Sequence, residues 1–507
     1  MSDSGVTEAA GLFADLAARV GEVRDLQRAA DLIEWDERVY MPPGGAPAHG
    51  EMQATLRRIA HETFTSDDMA KALDAARAQV RAVDADSDES RIIAVTARDF
   101  EKATKVPAEF VAEQARATSA AQQAWAEARA KSDFAMFRPH LERVIALKRQ
   151  YVTFFDRAAH PYDILLDDYE PGATTAEVQA VFAALRDKQV ALVRELGERP
   201  QVDDSFLRVS IPESTLIDFS VEVINAFGFD FDRGRQDKSL HPFCTSFGAD
   251  DVRITTRYVE GLPLSLLFGT MHETGHALYE QGVSPAYQRT SLEGGASLGI
   301  HESQSRLWEN IVGRSLPFWE HFFPMLQQRC QAQLGGVSLA QFYKGINRVE
   351  PSLIRVEADE ATYNLHVMLR VELEIALIEG RLEVKDLDEA WNAGMRDYLG
   401  ITPPDAARGV LQDIHWSAGL FGYFATYTLG NVFAAQLAQT FRNAHPSLDD
   451  EMRRGEFGAL LAWLREELHR HGRKFLPREL VQKITGGSID PAPYLDYLSM
   501  KYRQVYS

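Results

Sequence analysis

Cysteine is nearly absent. Two stand among 507 residues, Cys244 and Cys330. That excludes a disulfide framework and argues against a cysteine-based zinc site; such usage suits a reducing compartment. Positive charge is also scarce: 54 Lys and Arg face 74 Asp and Glu, a formal net charge of −20. A chain so acidic is a poor partner for nucleic acid or an anionic membrane. No apolar run reaches membrane-spanning length; the nearest, 419–435, is interrupted by Thr426, Thr428 and Asn431. The first ten residues are acidic and small, without the order of a secretory signal. There is no Gly/Ser linker, internal repeat or strict heptad. These absences predict a cytoplasmic protein with neither membrane nor nucleic acid as partner. They favour one domain over 1–507, with an N-terminal helical lobe to about residue 200 and a catalytic lobe beyond it. The polar stretch 198–210 is the expected divide.

Most of what is present reads as helix. Leu12, Leu16, Val20, Val23, Leu26 and Ala30 recur at helical spacing within 7–33. Pro42, Pro43, Gly44 and Gly45 must end that helix, with Trp35 and Met41 packed at the corner. From 48 to 157 the chain is rich in Ala, Arg, Glu and Gln, and Pro107 and Pro139 are expected to divide it into several helices. Thr174 or Thr175 should cap a further helix running to Gly197. The one clear strand signal is 252–259, β-branched and alternating, with Asp251, Arg253, Thr255 and Arg257 on one face. It could line a site or be an ordinary salt-bridged hairpin. The segment 282–299, with Gly294 and Gly295 paired, reads as a mobile loop, 301–312 as a helix, and 318–502 as helical with short breaks at its prolines. The predicted class is all-α, with a small β element before the central motif.

That motif is His272-Glu273-Thr274-Gly275-His276, or H-E-x-x-H. Residues four apart share a helix face, so two imidazoles there can grip one tetrahedral Zn²⁺. The adjacent Glu273 can take a proton from water beside the ion, the pattern of a zinc peptidase. A histidine pair on a helix is more often structural, and the bare pattern also arises by chance. Context favours the metal. Leu266, Leu267, Met271 and Leu278 give 262–281 a helical apolar pattern, with Pro263 at its start and Gly282 past its end.

A catalytic zinc commonly takes three protein ligands and a water. Gly282, six residues after His276, excludes the metzincin arrangement. Glu280 lies on the same helix, which does not readily wrap three ligands around one ion. Glu293 lies in the glycine-rich loop, a poor place for a precise ligand. His301 and Glu302 open a new helix, and spacing leaves both open.

Several further motifs carry a resemblance. His301-Glu302-Ser303-Gln304-Ser305 follows His276 at a set distance. Asp251-Val252-Arg253-Ile254-Thr255 matches D-x-R-x-T. Ile354-Arg355-Val356-Glu357-Ala358-Asp359 matches I-R-x-x-A-D. Gly409-Val410-Leu411-Gln412-Asp413-Ile414-His415-Trp416 matches G-x-x-Q-D-x-H-W. Together with His241-Pro242-Phe243 and Tyr169-Glu170-Pro171-Gly172, these resemble the carboxypeptidase Taq family of metallocarboxypeptidases, from about residue 30 to the C-terminal region.

The resemblance implies a large helical fold with a long active-site groove, a homodimer, and one Zn²⁺ per chain held by His272, His276 and Glu302, with Co²⁺ or Mn²⁺ also accepted. It implies Glu273 as general base. His415, Tyr423 and Tyr427 are candidate donors to the oxyanion, the tyrosines having core packing as their alternative. A carboxypeptidase must also hold a free carboxylate, which suits a guanidinium fork. Arg355 is the first candidate and Arg253 the second, each with a structural salt bridge as its rival reading. Asp251, Asp359 and Glu360 are candidates to orient ligands or arginines. The expected reaction is release of single C-terminal residues from peptides, with broad specificity. An oligopeptidase or dipeptidyl carboxypeptidase is the alternative within the enzyme class, and a helical binding protein with a degenerate site is the alternative outside it.

Overall fold

A computed structural model describes residues 3–80, 84–155 and 158–507. Helices dominate it. The first runs Asp3–Val39, longer than its apolar pattern, and stops where Pro42 and Pro43 remove backbone donors. Leu16, Val20, Val23 and Ala30 of the expected face are buried, and Leu26 packs beside them; the Leu12 side chain lies outside the described ones.

Contacts gather the chain into two compact units. One comprises Met1–Lys105, Ser210–Ala296 and Leu448–Leu476; the other Val106–Val209, Ser297–Ser447 and Pro477–Ser507.

In the first unit, Leu16, Val20 and Val23 pack against Ala60, Met69, Leu73 and Ile93. Among the described residues, strands are confined to β1 (Gly234–Lys238), β2 (Cys244–Ser246) and β3 (Val252–Thr256). β3 is central, parallel to β1 and antiparallel to β2. The strand expected over 252–259 ends at Thr256; its antiparallel pairing with β2 is the hairpin alternative, with β1 as a third strand. The sheet packs on the helix Leu264–Gly282, which holds H-E-x-x-H. The loop expected to be mobile is tied down: Arg289 pairs with Asp25, Arg28 with Glu293, and the Ala296 N–H donates to the Tyr279 hydroxyl at 3.0 Å.

In the second unit, Pro107 precedes the helix Ala108–Lys131 as expected, but Pro139 divides nothing. It lies inside Phe134–Val152. The break sits at Ser132, in the left-handed region, and at Asp133, whose carboxylate accepts the Ala135 N–H. Thr174 caps Thr175–Gly197 with a reciprocal Glu177 contact. The helix expected from His301 begins earlier, at Leu298, because Ser297 caps it; after Arg306 it widens into a π-helical turn, Leu307–Val312. Two helices, Glu360–Glu379 and Ala425–Ala444, are buried on nearly every side. The stretch 400–424, expected as helix with a short break, is instead a series of turns. Pro403, Pro404, Gly409, Gly419 and Gly422 leave no run long enough to propagate a helix.

Candidate metal centre

His272 and His276 are half-buried near the middle of Leu264–Gly282, with ring centroids 5.0 Å apart and planes 81° apart. Glu273, the next residue along, is 7% exposed. Threonines fix this helix against the sheet. Thr270 Oγ1 donates to Thr256 Oγ1 at 2.9 Å, and Gln236 Nε2 donates to Thr270 Oγ1 at 3.3 Å. Hydroxyl bonds are directional, so they set the helix's rotation on β3 more sharply than apolar packing alone.

Glu302 lies in the helix Leu298–Arg306 and is 6% exposed. Its Oε1 accepts from Arg306 Nε at 2.7 Å and its Oε2 from Ser305 Oγ at 3.1 Å. Burial works against the Arg306 charge, but Glu302, Tyr363 and Glu309 outweigh it and hold the guanidinium protonated. A permanent cation there favours the ionised carboxylate a metal needs. At the start of the same helix, the Glu170 carboxyl accepts the Gly299 N–H. Burial pushes Glu170 up to about 8, against that bond and one from Ser297.

One ligand atom each of His272, His276 and Glu302 lies within 4.8 Å of the other two. Two imidazoles and a carboxylate are a donor set that zinc accepts at about 2.0–2.2 Å per bond. These residues fit a single divalent ion. His301, the other candidate, belongs to no such group among the described residues.

Gly430 explains how Glu302 is placed. It lies in Ala425–Ala444, where a Cβ would stand 2.6 Å from Glu302 Cγ and 2.7 Å from Glu302 Cβ. Glycine costs about 1 kcal/mol against alanine in mid-helix, so close approach is its reason for being here. Gly430→Ala should displace the Glu302 carboxylate and weaken metal binding by about tenfold or more. Competition against a chromogenic chelator measures this; wild-type affinity in a folded variant would refute it.

A second group of candidates surrounds Asp413. Arg355 is 4% exposed. Its Nε and Nη2 donate to Asp413 Oδ1 at 3.1 and 2.9 Å, and its Nη1 to the Tyr363 hydroxyl at 2.9 Å. A guanidinium has five N–H donors, so one hydrogen remains on each terminal nitrogen. Arg370, fully buried, donates through Nε to Asp413 Oδ2 at 2.6 Å. Burial would raise the Asp413 carboxyl, but Arg370 and Arg355 hold it well below the usual range. Two cations thus meet one anion. His415 stands beside them, Nδ1 3.8 Å from Asp413 Oδ1 and Nε2 3.4 Å from the Tyr427 hydroxyl. Burial lowers its pKa to about 4; Asp413 opposes this, while Arg355 and Arg370 reinforce it. His415 is therefore a neutral imidazole near pH 7, able to donate without carrying charge. Tyr423 and Tyr427 are half-buried, with ring centroids 5.4 Å apart. Burial raises both phenols; Glu302 adds to this, while Arg355 opposes it.

Other expectations resolve differently. Arg253 commits Nε and Nη2 to Asp251 at 2.8 and 2.7 Å and stacks 4.3 Å over Trp35. Like Arg355, it keeps only terminal-nitrogen hydrogens for a substrate carboxylate, and Asp251 serves Arg253. Asp359 caps Glu360–Glu379, accepting from Ala361 and Thr362 N–H, and among the described residues it bonds to no candidate ligand. Glu360 pairs with Lys501 at 2.6 Å.

Sequence reasoning missed Tyr363, Arg370 and Glu374. His366, Arg370 and Glu374 recur every four residues in an otherwise apolar helix. A polar row of that period inside a buried helix was the available signal.

The family model for the carboxypeptidase Taq (M32) metallopeptidases matches residues 15–502. The chain is 43% identical over 485 residues to thermostable carboxypeptidase 1 of Thermus thermophilus, covering 94% of this chain and 95% of that protein. It is 38% identical over 497 residues to carboxypeptidase 1 of Bacillus subtilis, covering 97% and 98%. The crystal structure of the M32 carboxypeptidase from Deinococcus radiodurans R1 matches with a TM-score of 0.95 and 40% identity, over 98% of this chain and 99% of that one.

Proposed function

The chain belongs to the carboxypeptidase Taq (M32) family of metallopeptidases and is a metal-dependent peptide hydrolase of the carboxypeptidase type; from that premise we propose that it releases single residues from free C-termini with broad tolerance. The observation that carries this reading is the meeting of His272, His276 and Glu302 ligand atoms within 4.8 Å, with Glu273 one residue from the first.

We assign the ion to zinc, with cobalt or manganese as acceptable substitutes. Bound there, it supplies a Lewis acid for the scissile carbonyl and lowers the pKa of water. The rest is done by side chains. Glu273 accepts a proton from the attacking water and returns it to the departing amine. Its near-complete burial excludes bulk water, which strengthens both transfers. His415 and Tyr423 donate to the oxyanion as the carbonyl carbon becomes tetrahedral, with Tyr427 beside them. Neutral donors suit this step, because they stabilise developing negative charge without forming a tight ion pair beforehand. Arg355 holds the substrate carboxylate through its two uncommitted hydrogens, and the excess positive charge around Asp413 supports that role. Arg253 is the weaker candidate.

The single-domain reading of 1–507 is supported by a family match running unbroken over 15–502. A reducing, cytoplasmic setting is supported by two free thiols, Cys244 and Cys330. Homodimeric assembly is carried over from the family resemblance, with sedimentation as its measure.

The test uses one peptide with a free C-terminus, followed by mass spectrometry. We expect a ladder falling by one residue at a time, abolished by chelator and restored by Zn²⁺. Steps of two residues would make it a dipeptidyl carboxypeptidase, and internal cuts an oligopeptidase.

A further inference from the structure

Glu374 is fully buried in Glu360–Glu379, and among the described residues no lysine or arginine forms an ion pair with it. Neutral donors surround it instead. Oε1 accepts from Trp416 Nε1 at 2.8 Å; Oε2 accepts from the Gly422 backbone N–H at 2.9 Å and from the Tyr162 hydroxyl at 2.5 Å. A carboxylate buried with no cation in contact is costly, and burial pushes this one up to about 7, against its hydrogen bonds and the Arg370 charge. So expensive a group in a core needs a reason.

The reason lies in where its donors sit. Trp416 and Gly422 bracket a tight turn, and the residues just outside the bracket are His415 and Tyr423. The turn is closed internally by the Leu420 N–H on the His415 carbonyl at 2.9 Å. Gly422 has φ +92°, and a Cβ there would stand 2.3 Å from the Leu165 carbonyl oxygen. The segment is thus pressed onto 165–166 on one side and staked to one carboxylate at both ends. An indole N–H and a backbone N–H can only donate. Holding both, on two separate oxygens, requires a side chain with two acceptor oxygens. Only a carboxylate meets that condition.

We infer that Glu374 is a positioning residue: by holding Trp416 and Gly422 it fixes where His415 and Tyr423 present their polar atoms. The inference rests on the roles assigned above to His415 and Tyr423. It gives an asymmetric consequence for the near-isosteric amide. In Glu374→Gln the NH₂ group must face either the Trp416 N–H or the Gly422 N–H, so one stake is lost. The Tyr162 hydroxyl can rotate and accept.

The test is a double-mutant cycle. Glu374→Gln should lower kcat about 10- to 100-fold, the scale of a misplacement near 1 Å, with KM within about threefold and metal content unchanged. Trp416→Phe removes the same stake from the other side. The double variant should be no slower than Trp416→Phe alone, because without the indole donor the amide nitrogen has an uncontested place. In the metal-free protein, the indole N–H resonance that disappears in Trp416→Phe should also shift in Glu374→Gln. Wild-type kcat in Glu374→Gln, or multiplicative losses in the double variant, overturns the inference. If Glu374→Gln does not fold, Trp416→Phe decides: lowered kcat at constant KM supports the inference and wild-type kcat overturns it. His415→Ala and Tyr423→Phe test the underlying roles separately. If both leave kcat intact, that assignment fails whatever Glu374 does. If both lower kcat while Glu374→Gln does not, only the inference about Glu374 is lost.

Discussion

Glu273→Gln is expected to load its metal normally and to lose about a thousandfold or more in kcat. The amide keeps the shape and size of the carboxylate in a position that is 7% exposed, so packing around the helix should survive. His272, His276 and Glu302 are untouched, so affinity for the ion should stay near wild type. What disappears is the base. General acid–base catalysis is worth about 10²–10⁴-fold, and Glu273 is assigned both the acceptance and the return of the proton, which places it in the upper part of that range. Metal analysis with kcat on the same sample checks the prediction. Undiminished turnover at full loading would remove Glu273 from its role.

Arg355→Ala should discriminate between substrates rather than merely weaken the enzyme. On peptides with a free C-terminal acid, kcat/KM should fall about 10²–10³-fold; on the matching C-terminal amides the fall should be about tenfold or less. The magnitude follows from truncating one partner of a buried, hydrogen-bonded charge pair, about 2–5 kcal/mol. Asp413 limits the collateral damage. It keeps Arg370, bound at 2.5 Å, when Arg355 is gone, so the variant does not strand a lone buried anion. Equal losses on acid and amide would make Arg355 a structural member of the Asp413 cluster and no more.

The fold was legible where local rules act alone. Pro42 and Pro43 ended the first helix, Thr174 capped the fourth-residue box with Glu177, and β-branched 252–256 paired into a sheet. It was not legible where a rule had a competitor. Pro139 predicts a break, yet the Ser132–Asp133 turn ends the preceding helix and leaves the proline inside the next. The glycines of 282–299 predict a mobile loop, but charge pairs from a helix more than 250 residues earlier fasten it. The turns of 400–424 are not legible as turns, because their shape depends on partners distant in sequence: Glu374, Arg370 and Arg355.

By itself the sequence determined the helical class, the one-faced histidine pair and the neighbouring carboxylate, because these follow from a period of 3.6 residues and from side-chain chemistry. The motifs also determined the family. Only the tertiary structure decided that Arg253 pairs with Asp251, and that Arg370 and Glu374 bond to the 413–423 segment. Those outcomes depend on which side chains meet across long separations in the chain, and hydrogen-bond donors and charges are committed only once packing has brought their partners within about 3 Å.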